Sequence, residues 1–217
     1  MAECETRTQG VLVAGGYGRD RGRRIAPASA AGRPVRHFDP GSEELTGILL
    51  AGGTSSRFGS PKELAEYRGE TLGDRAWRLL GEACDERIAV GKRGDGLVLP
   101  FPILDDGTDV RAPLAGLVAG LRAAKHDVAV VIPVDMPLLD AASLRALAAA
   151  CRDAAVPQSG PLPGAYRKSA LPVLEEALAA GSLKLRDVVA RLDATSITLP
   201  EAVLANVNDR NDLQRLE

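Results

Sequence analysis

Two hydrophobic patterns alternate along the chain from residue 46 onward. Short apolar runs typical of buried strands alternate with segments whose apolar residues recur three and four positions apart, as in amphipathic helices. The runs predict strands at residues 48–51, 87–91, 97–104, 127–133 and 196–199. Alternating strands and helices are typical of an α/β fold built on a mainly parallel sheet.

The helical segments each have one apolar face. The expected inward residues are Leu72, Ala76, Leu79, Leu80 and Ala83; Leu114, Leu117, Val118, Leu121 and Ala124; Leu144, Leu147 and Cys151; and Leu185, Val188, Val189 and Leu192. Asp140, Ser182 and Asp209 are the expected caps of later helices. Gly116 and Gly120 each weaken the second helix by about 1 kcal/mol relative to alanine. They therefore indicate close packing, either against a neighbouring helix or strand or against a bound ligand.

The first part of the chain lacks both patterns. Residues 1–44 carry several arginines among glycine, proline and alanine, and few of their apolar residues recur at either period. This composition predicts a flexible extension. A single domain is expected over residues 45–217, with a Gly/Pro-rich connection at residues 156–164 leading to a helix that ends at Gly181.

Composition and charge narrow the classes of function. The formal net charge is −2 and aromatic residues make up 3% of the chain, so neither a basic surface nor a stacking platform for nucleic acid is expected. No apolar run approaches the length of a membrane span. Cys4, Cys84 and Cys151 are widely spaced, which argues against a zinc site and a disulfide framework. A cytoplasmic protein is the expectation.

A glycine-rich loop follows the first predicted strand. Gly52 and Gly53 end the apolar run, and Arg57 and Lys62 bring positive charge to the same loop. Glycines let successive backbone N–H groups approach an anion closely. The composition thus fits a loop around phosphate, but it also fits an ordinary turn with two solvated basic residues.

A carboxylate follows the most apolar predicted strand. Asp135 comes just after residues 127–133 and is flanked by Pro133 and Pro137. Open α/β sheets bind ligands at the carboxyl ends of their strands. Asp135 is therefore a candidate metal ligand, and the alternative is a turn or helix-capping role.

The segment from Leu50 to Lys62, Leu-Ala-Gly-Gly-Thr-Ser-Ser-Arg-Phe-Gly-Ser-Pro-Lys, resembles the signature loop of nucleotidyltransferases that build activated cofactors and sugars. It is most similar to that of the molybdenum cofactor guanylyltransferases in the MobA-like NTP transferase family. Residues 113–121, 132–138 and 206–213 match further family segments in the family's order. The resemblance implies a Rossmann-like, three-layer α/β/α nucleotidyltransferase fold with a mainly parallel sheet.

The resemblance also implies an activity. GMP would pass from GTP to the phosphate of molybdopterin, the organic part of the molybdenum cofactor, with release of pyrophosphate and with Mg²⁺ as cofactor. A molybdoenzyme or its chaperone would be the further partner. The alternatives are a cytidylyltransferase for the same cofactor, another small nucleotidyltransferase acting on a sugar phosphate or an isoprenoid precursor, and a non-catalytic nucleotide-binding module.

Site residues follow from the same resemblance. Lys62, Arg57 and Asp135 are the expected catalytic residues: Lys62 for the triphosphate, Arg57 for the departing pyrophosphate and Asp135 for Mg²⁺. The expected nucleotide-binding residues are Leu50, Ala51, Gly52, Gly53, Lys62, Gly91, Asp106 and Asp135.

Other assignments are left open by the sequence. Asp105 is the alternative to Asp106 at the nucleotide. Asn208 is a second candidate for the metal or the acceptor phosphate, with an ordinary turn as the alternative. Tyr166 and Arg167 are expected on the pterin side because they follow the proline-rich segment.

Overall fold

A seven-stranded sheet forms the middle layer of the protein. The computed structural model describes residues 44–52 and 61–216. The strands are Leu45–Leu50 (β1), Glu66–Tyr67 (β2), Glu70–Thr71 (β3), Glu86–Gly91 (β4), Ile103–Asp105 (β5), Val128–Pro133 (β6), Ala154–Pro157 (β7), Gly164–Arg167 (β8) and Ala194–Ile197 (β9). The sheet has the order β5-β4-β1-β6-β8-β7-β9, and β2 and β3 form a separate antiparallel pair.

The sheet is mainly parallel, as the alternating pattern predicts. β1 pairs in parallel with both β4 and β6, and β4 pairs in parallel with β5. β8 alone runs against its neighbours β6 and β7 within this sheet. β1 and β6 lie at the centre, and residues 128–132 of β6 are buried throughout. A continuous apolar run is expected for a parallel strand that is covered on both faces.

Helices cover both faces of the sheet. They are Leu72–Ala83 (α1), Pro113–Ala123 (α2), Ala141–Ala150 (α3), Leu171–Ala179 (α4), Leu185–Val189 (α5) and Arg210–Arg215 (α6). Short 3₁₀ turns occur at Lys62–Leu64, Arg93–Asp95, Lys168–Ala170 and Glu201–Leu204.

The alternation of side chains along the strands divides the core in two. Leu49 belongs to the apolar cluster that includes residues of α1, α3 and α6. Ile48, on the other face of β1, belongs to the cluster with α2, α4 and α5. The result is the three-layer, Rossmann-like arrangement that the resemblance implies.

Helix starts largely follow the expected capping chemistry. The Asp140 side chain accepts a hydrogen bond from the Ser143 N–H at the start of α3, and Asp209 forms a capping box with Asp212 at the start of α6. The expectation for Ser182 is wrong, because α5 begins later and its N-cap residue is Lys184.

The glycines of α2 allow this helix to pack tightly on the sheet. A Cβ atom at Gly120 would lie 2.8 Å from Cγ2 of Ile48, and one at Gly116 would lie 2.9 Å from Cδ2 of Leu50. Both glycines therefore meet a neighbouring strand, which is one of the two predicted explanations. Gly116 also lines the cavity described below, so the other explanation stays open for it.

Two predicted segments differ from the structure. The expected strand at 97–104 is reduced to β5, because Pro100 and Pro102 cannot donate ladder hydrogen bonds. The expected connection at 156–164 has strand at both ends, since β7 and β8 form an antiparallel pair. Periodicity did not show this pair because each strand has only four residues.

All described residues belong to one compact unit. Residues 1–43 lie outside the described part, so the division into an extension and a domain stays a prediction. Within residues 44–52 and 61–216, none of the helices is both long and apolar enough to cross a membrane.

Candidate nucleotide site

A cavity of about 360 Å³ opens beyond the carboxyl ends of β1, β4 and β6. The predicted site residues Leu50, Ala51, Gly52, Lys62, Gly91, Asp106 and Asp135 all line it. The volume is within the range of small-ligand sites, and the position is where open α/β sheets bind their ligands. The structure thus gathers residues that lie up to 85 positions apart in the chain into one place.

Gly52 forms the turn that leads out of β1. Its φ angle is +103°, a value that side chains other than glycine rarely adopt, and an added Cβ would lie 3.2 Å from Oδ2 of Asp95. The Gly52 N–H donates to Oε1 of Glu63 over 2.6 Å. Glu63 is only 2% exposed, so this bond holds the turn from beneath. Sequence reasoning missed Glu63, although it directly follows Lys62.

Lys62 and Asp135 form the central ion pair of the cavity. Nζ of Lys62 lies 3.2 Å from Oδ2 of Asp135 and donates to the Val207 carbonyl over 3.1 Å. The Val207 N–H in turn donates to the Asp135 carbonyl over 2.8 Å. The ends of the first loop, of β6 and of the C-terminal segment are therefore held together at one point.

The structure distinguishes Asp106 from Asp105. Asp106 lines the cavity, and its side chain is 7% exposed. The Asp105 carboxylate accepts from the N–H groups of Arg93 and Gly107 in a neighbouring loop, and these bonds lower its pKa. Of the two, Asp106 is thus the residue that lines this cavity.

A second ion pair lies above the Gly52 turn. Arg111, just before α2, donates to both carboxylate oxygens of Asp95 over 2.7 and 3.3 Å, and the hydrogen bond raises the pKa of the guanidinium. Both residues line the cavity, and the side chain of Arg111 is half exposed. Neither residue was predicted, because each acquires its position only through the fold.

Each carboxylate among the described lining residues has a partner within the protein. Glu63 binds the Gly52 N–H, and the pairs Asp95–Arg111, Asp106–Lys92 and Asp135–Lys62 are ionic. An anionic ligand would compete with these carboxylates for Lys62 and Arg111. The described lining residues carry four carboxylates and three cationic side chains, so the site is suited to a ligand that brings its own cation.

The Asp135 carboxylate provides the oxygen ligands that Mg²⁺ prefers. No group of three or more acidic, histidine or cysteine side chains suited to a metal occurs among the described residues. Mg²⁺ usually binds one or two carboxylates together with phosphate oxygens of the substrate rather than an all-protein cage. The donor set fits a magnesium ion that enters with a phosphate ligand.

Some expected site residues are not brought into the cavity or lie outside the described ranges. Gly53 and Arg57 fall in the undescribed residues 53–60. Asn208 is exposed, next to Val207, and its N–H donates to Asp212.

The expectation for Tyr166 is wrong. Its side chain is fully buried, and its hydroxyl donates to the Pro161 carbonyl over 2.6 Å. Arg167 pairs instead with Asp127 at the amino end of β6, over 2.5 Å. Leu162, in the connection before β8, is the residue of this region that reaches the cavity.

Known proteins resemble the chain over most of its described length. Residues 47–195 match the model of the MobA-like NTP transferase domain. A molybdenum cofactor guanylyltransferase from Pseudomonas putida is 32% identical over 180 residues, which cover 77% of this chain and 94% of that protein. A probable molybdenum cofactor guanylyltransferase from Chloroflexus aggregans is 36% identical, over 68% of this chain and 77% of that protein.

Solved structures agree on the fold. Molybdopterin-guanine dinucleotide biosynthesis protein A from Archaeoglobus fulgidus superposes with a TM-score of 0.68 at 23% identity, covering 79% of this chain and 96% of that one. A 2-C-methyl-D-erythritol 4-phosphate cytidylyltransferase from Thermus thermophilus gives a TM-score of 0.59 at 16% identity, over 77% and 95%. At these identities the likeness concerns the fold alone.

Proposed function

Because this chain belongs to the family of MobA-like NTP transferase domains, we propose that it is a molybdenum cofactor guanylyltransferase. The reaction transfers GMP from GTP to the phosphate of molybdopterin. An acceptor phosphate oxygen attacks the α-phosphorus of GTP, a new phosphoanhydride bond forms, and the bond to the leaving pyrophosphate breaks. Relatives of about a third identity that carry this name support the assignment.

The observation that carries the proposal is the Lys62–Asp135 pair beside the Gly52 turn. A cation, a carboxylate and a glycine turn converge at the carboxyl ends of the two central strands, β1 and β6. Nucleotidyl transfer depends mostly on positioning the phosphates and stabilising their charge. This combination of groups supplies both.

Lys62 neutralises the triphosphate when a nucleotide enters. Its ammonium then exchanges the Asp135 carboxylate for phosphate oxygens. The N-terminal end of α2, at Ala112 and Pro113, also lines the cavity and adds the positive end of a helix dipole. Arg57 stabilises the departing pyrophosphate, and Gly53 contributes backbone to the same loop.

The base lies between the end of β4 and the start of α2. Leu50, Ala51, Gly52 and Gly91 present backbone to the base and ribose. The Asp106 carboxylate accepts from the base, and it suits guanine because guanine presents a ring N–H at N1. Cytosine offers only its amino group on the corresponding edge.

Asp135 would hold Mg²⁺, with Asn208 as a second candidate ligand. When bound, the ion would supply charge neutralisation at the α-phosphate and the leaving group. The product passes to a molybdoenzyme or its chaperone, and a cytoplasmic location is expected for this step.

The direct test is product formation. The purified protein is incubated with Mg²⁺, molybdopterin and GTP labelled at the α-phosphate, with CTP and ATP in parallel reactions. The proposal predicts that label from GTP appears in a molybdopterin dinucleotide, together with one pyrophosphate for each product.

Each other outcome would contradict a particular part of the proposal. Faster transfer from CTP would assign the protein to the cytidylyl branch. Nucleotide binding without transfer to molybdopterin would contradict the proposed acceptor, and an absence of nucleotide binding would contradict the site itself.

A further inference from the structure

Lys92 and Asp106 form a largely buried ion pair inside the proposed base site. Its Nζ lies 2.9 Å from both carboxylate oxygens of Asp106 and 2.6 Å from the carbonyl oxygen of Thr108. The side chains of Lys92 and Asp106 are 15% and 7% exposed. Because the pair is largely buried, water and salt screen the attraction between its two charges only weakly.

The donors of Lys92 are fully used within the protein. An ammonium group carries three N–H donors, and Nζ lies within hydrogen-bonding distance of three protein acceptors. Lys92 lines the cavity, yet in this arrangement it does not serve as a direct ligand for a nucleotide. Lys92 can therefore affect the site through its hydrogen bonds to Asp106.

The Asp106 carboxylate keeps one acceptor position for a ligand. A carboxylate offers about four lone-pair positions. Among the described residues, Oδ1 accepts from Lys92 and from the Thr108 N–H, and Oδ2 accepts from Lys92. The Asp106 N–H also donates to the Gly91 carbonyl, so backbone and side chain are both fixed.

We infer that Lys92 is a positioning residue that sets the choice of base by holding the Asp106 carboxylate in one orientation. This inference rests on the proposed function. A fixed carboxylate accepts from a base that presents a ring N–H, as guanine does at N1. It repels a base that presents a bare ring nitrogen there, as adenine and cytosine do. A site built to hydrogen-bond one group rejects analogues that lack it, provided that its polar atoms stay in place.

The test is the ratio of dissociation constants for ATP and GTP, measured by calorimetry with Mg²⁺. The proteins are the wild type, Lys92→Met, Asp106→Asn and the double variant. Arg93→Met is the matched control, because it removes an exposed cation next to Lys92 that lies outside this cavity.

The expected result is a loss of discrimination. Lys92→Met lowers the ATP/GTP ratio about tenfold, the size of effect that a hydrogen bond to a charged group produces. Arg93→Met leaves the ratio within about twofold. The double variant discriminates no worse than Asp106→Asn alone, because Lys92 acts through Asp106. If Lys92→Met does not fold, Lys92→Gln is measured instead, and the same fall in the ATP/GTP ratio is expected.

Each of the following results would overturn the inference. Equal weakening of GTP and ATP binding by Lys92→Met would mean that Lys92 only adds positive charge, and additive effects in the double variant would mean that it acts independently of Asp106. A wild type that prefers GTP but is unaffected by Lys92→Met refutes the inference alone. A wild type without preference for GTP refutes the proposed function as well.

Discussion

Individual side chains at the cavity are organised as pairs. Lys62 and Asp135 lie 73 positions apart in the chain and meet at 3.2 Å, and Gly52 and Glu63 are joined by a hydrogen bond of 2.6 Å. Each pair orients one group that faces the cavity.

Replacement of Asp135 tests the proposed metal ligand. Asp135→Asn removes the charge and keeps the shape, so nucleotidyl transfer should fall by about 100-fold or more while the fold is retained. Initial rates over a range of Mg²⁺ concentrations measure this. Asp109→Asn is the matched control, because Asp109 is exposed and outside the cavity. Similar rates for both variants would contradict the assignment.

Replacement of Glu63 tests the support of the Gly52 turn. Glu63→Ala leaves the Gly52 N–H without its acceptor and should lower the free energy of unfolding by about 1–3 kcal/mol. Glu63→Gln keeps an acceptor oxygen, so it should lower the free energy of unfolding by less than half of that amount. Urea unfolding gives both values. Exposed Glu66→Ala should change stability by less than about 0.5 kcal/mol, and a Glu63→Ala value as small would refute this role.

Sequence reasoning found the site residues that lie in recognisable motifs. Gly52 and Lys62 belong to a loop that resembles a family signature, and Asp135 follows an apolar strand in a segment that matches another family motif. Glu63 was missed, and Lys92 was placed at the end of a strand without a role, because a carboxylate or an ammonium is informative only once its partner is known. Their position directly after Lys62 and Gly91, two predicted residues, is the signal that was available.

At the level of elements, hydrophobic periodicity was sufficient for the long elements. The face of α1 and the central strand β6 were predicted from it and are buried as expected. The short elements were not predictable in the same way. β5, β7 and β8 have three or four residues each, so their existence depends on pairing with neighbours rather than on their own pattern.

The contact between α2 and β1 leads to a prediction about stability. Gly120→Ala gains about 1 kcal/mol of helix propensity. The new Cβ would however lie within 3 Å of two Ile48 carbons, and overpacking of this kind costs about 1–3 kcal/mol. We expect net destabilisation in urea unfolding.

Gly94→Ala is the control for Gly120→Ala, because it adds a Cβ atom where no neighbouring atom is close. An added Cβ at Gly94 has no atom within 4 Å, so Gly94→Ala should change the free energy of unfolding by less than about 0.5 kcal/mol. If Gly120→Ala were neutral or stabilising, the tight packing of α2 on β1 would be refuted.

The whole molecule should lose stability in acid. The hydrogen bond from Arg78 lowers the pKa of Glu70 from 4.5. Burial raises the pKa of Glu86, but the bonds from Lys125 and Thr46 outweigh this and lower it overall. The folded state therefore binds fewer protons than the unfolded chain, so these groups stabilise the fold above about pH 4.5 and less as pH falls.

Thermal melts between pH 7 and pH 3.5 measure this dependence. Glu86→Gln cannot titrate, so its melting temperature should be lower than that of the wild type at pH 7 and the difference should shrink toward pH 3.5. A constant difference across this range would contradict the stated role of Glu86.

The central claim about the whole molecule is that one cavity at the carboxyl ends of β1 and β6 binds GTP with Mg²⁺. The most direct measurement is the melting temperature of the wild type with GTP, CTP or ATP, each with Mg²⁺. At about 100 times its dissociation constant, GTP should stabilise the fold by about 2.7 kcal/mol and raise the melting temperature by about 5 °C or more. CTP and ATP should raise it far less. Equal shifts with all three nucleotides, or none with GTP, would contradict the account.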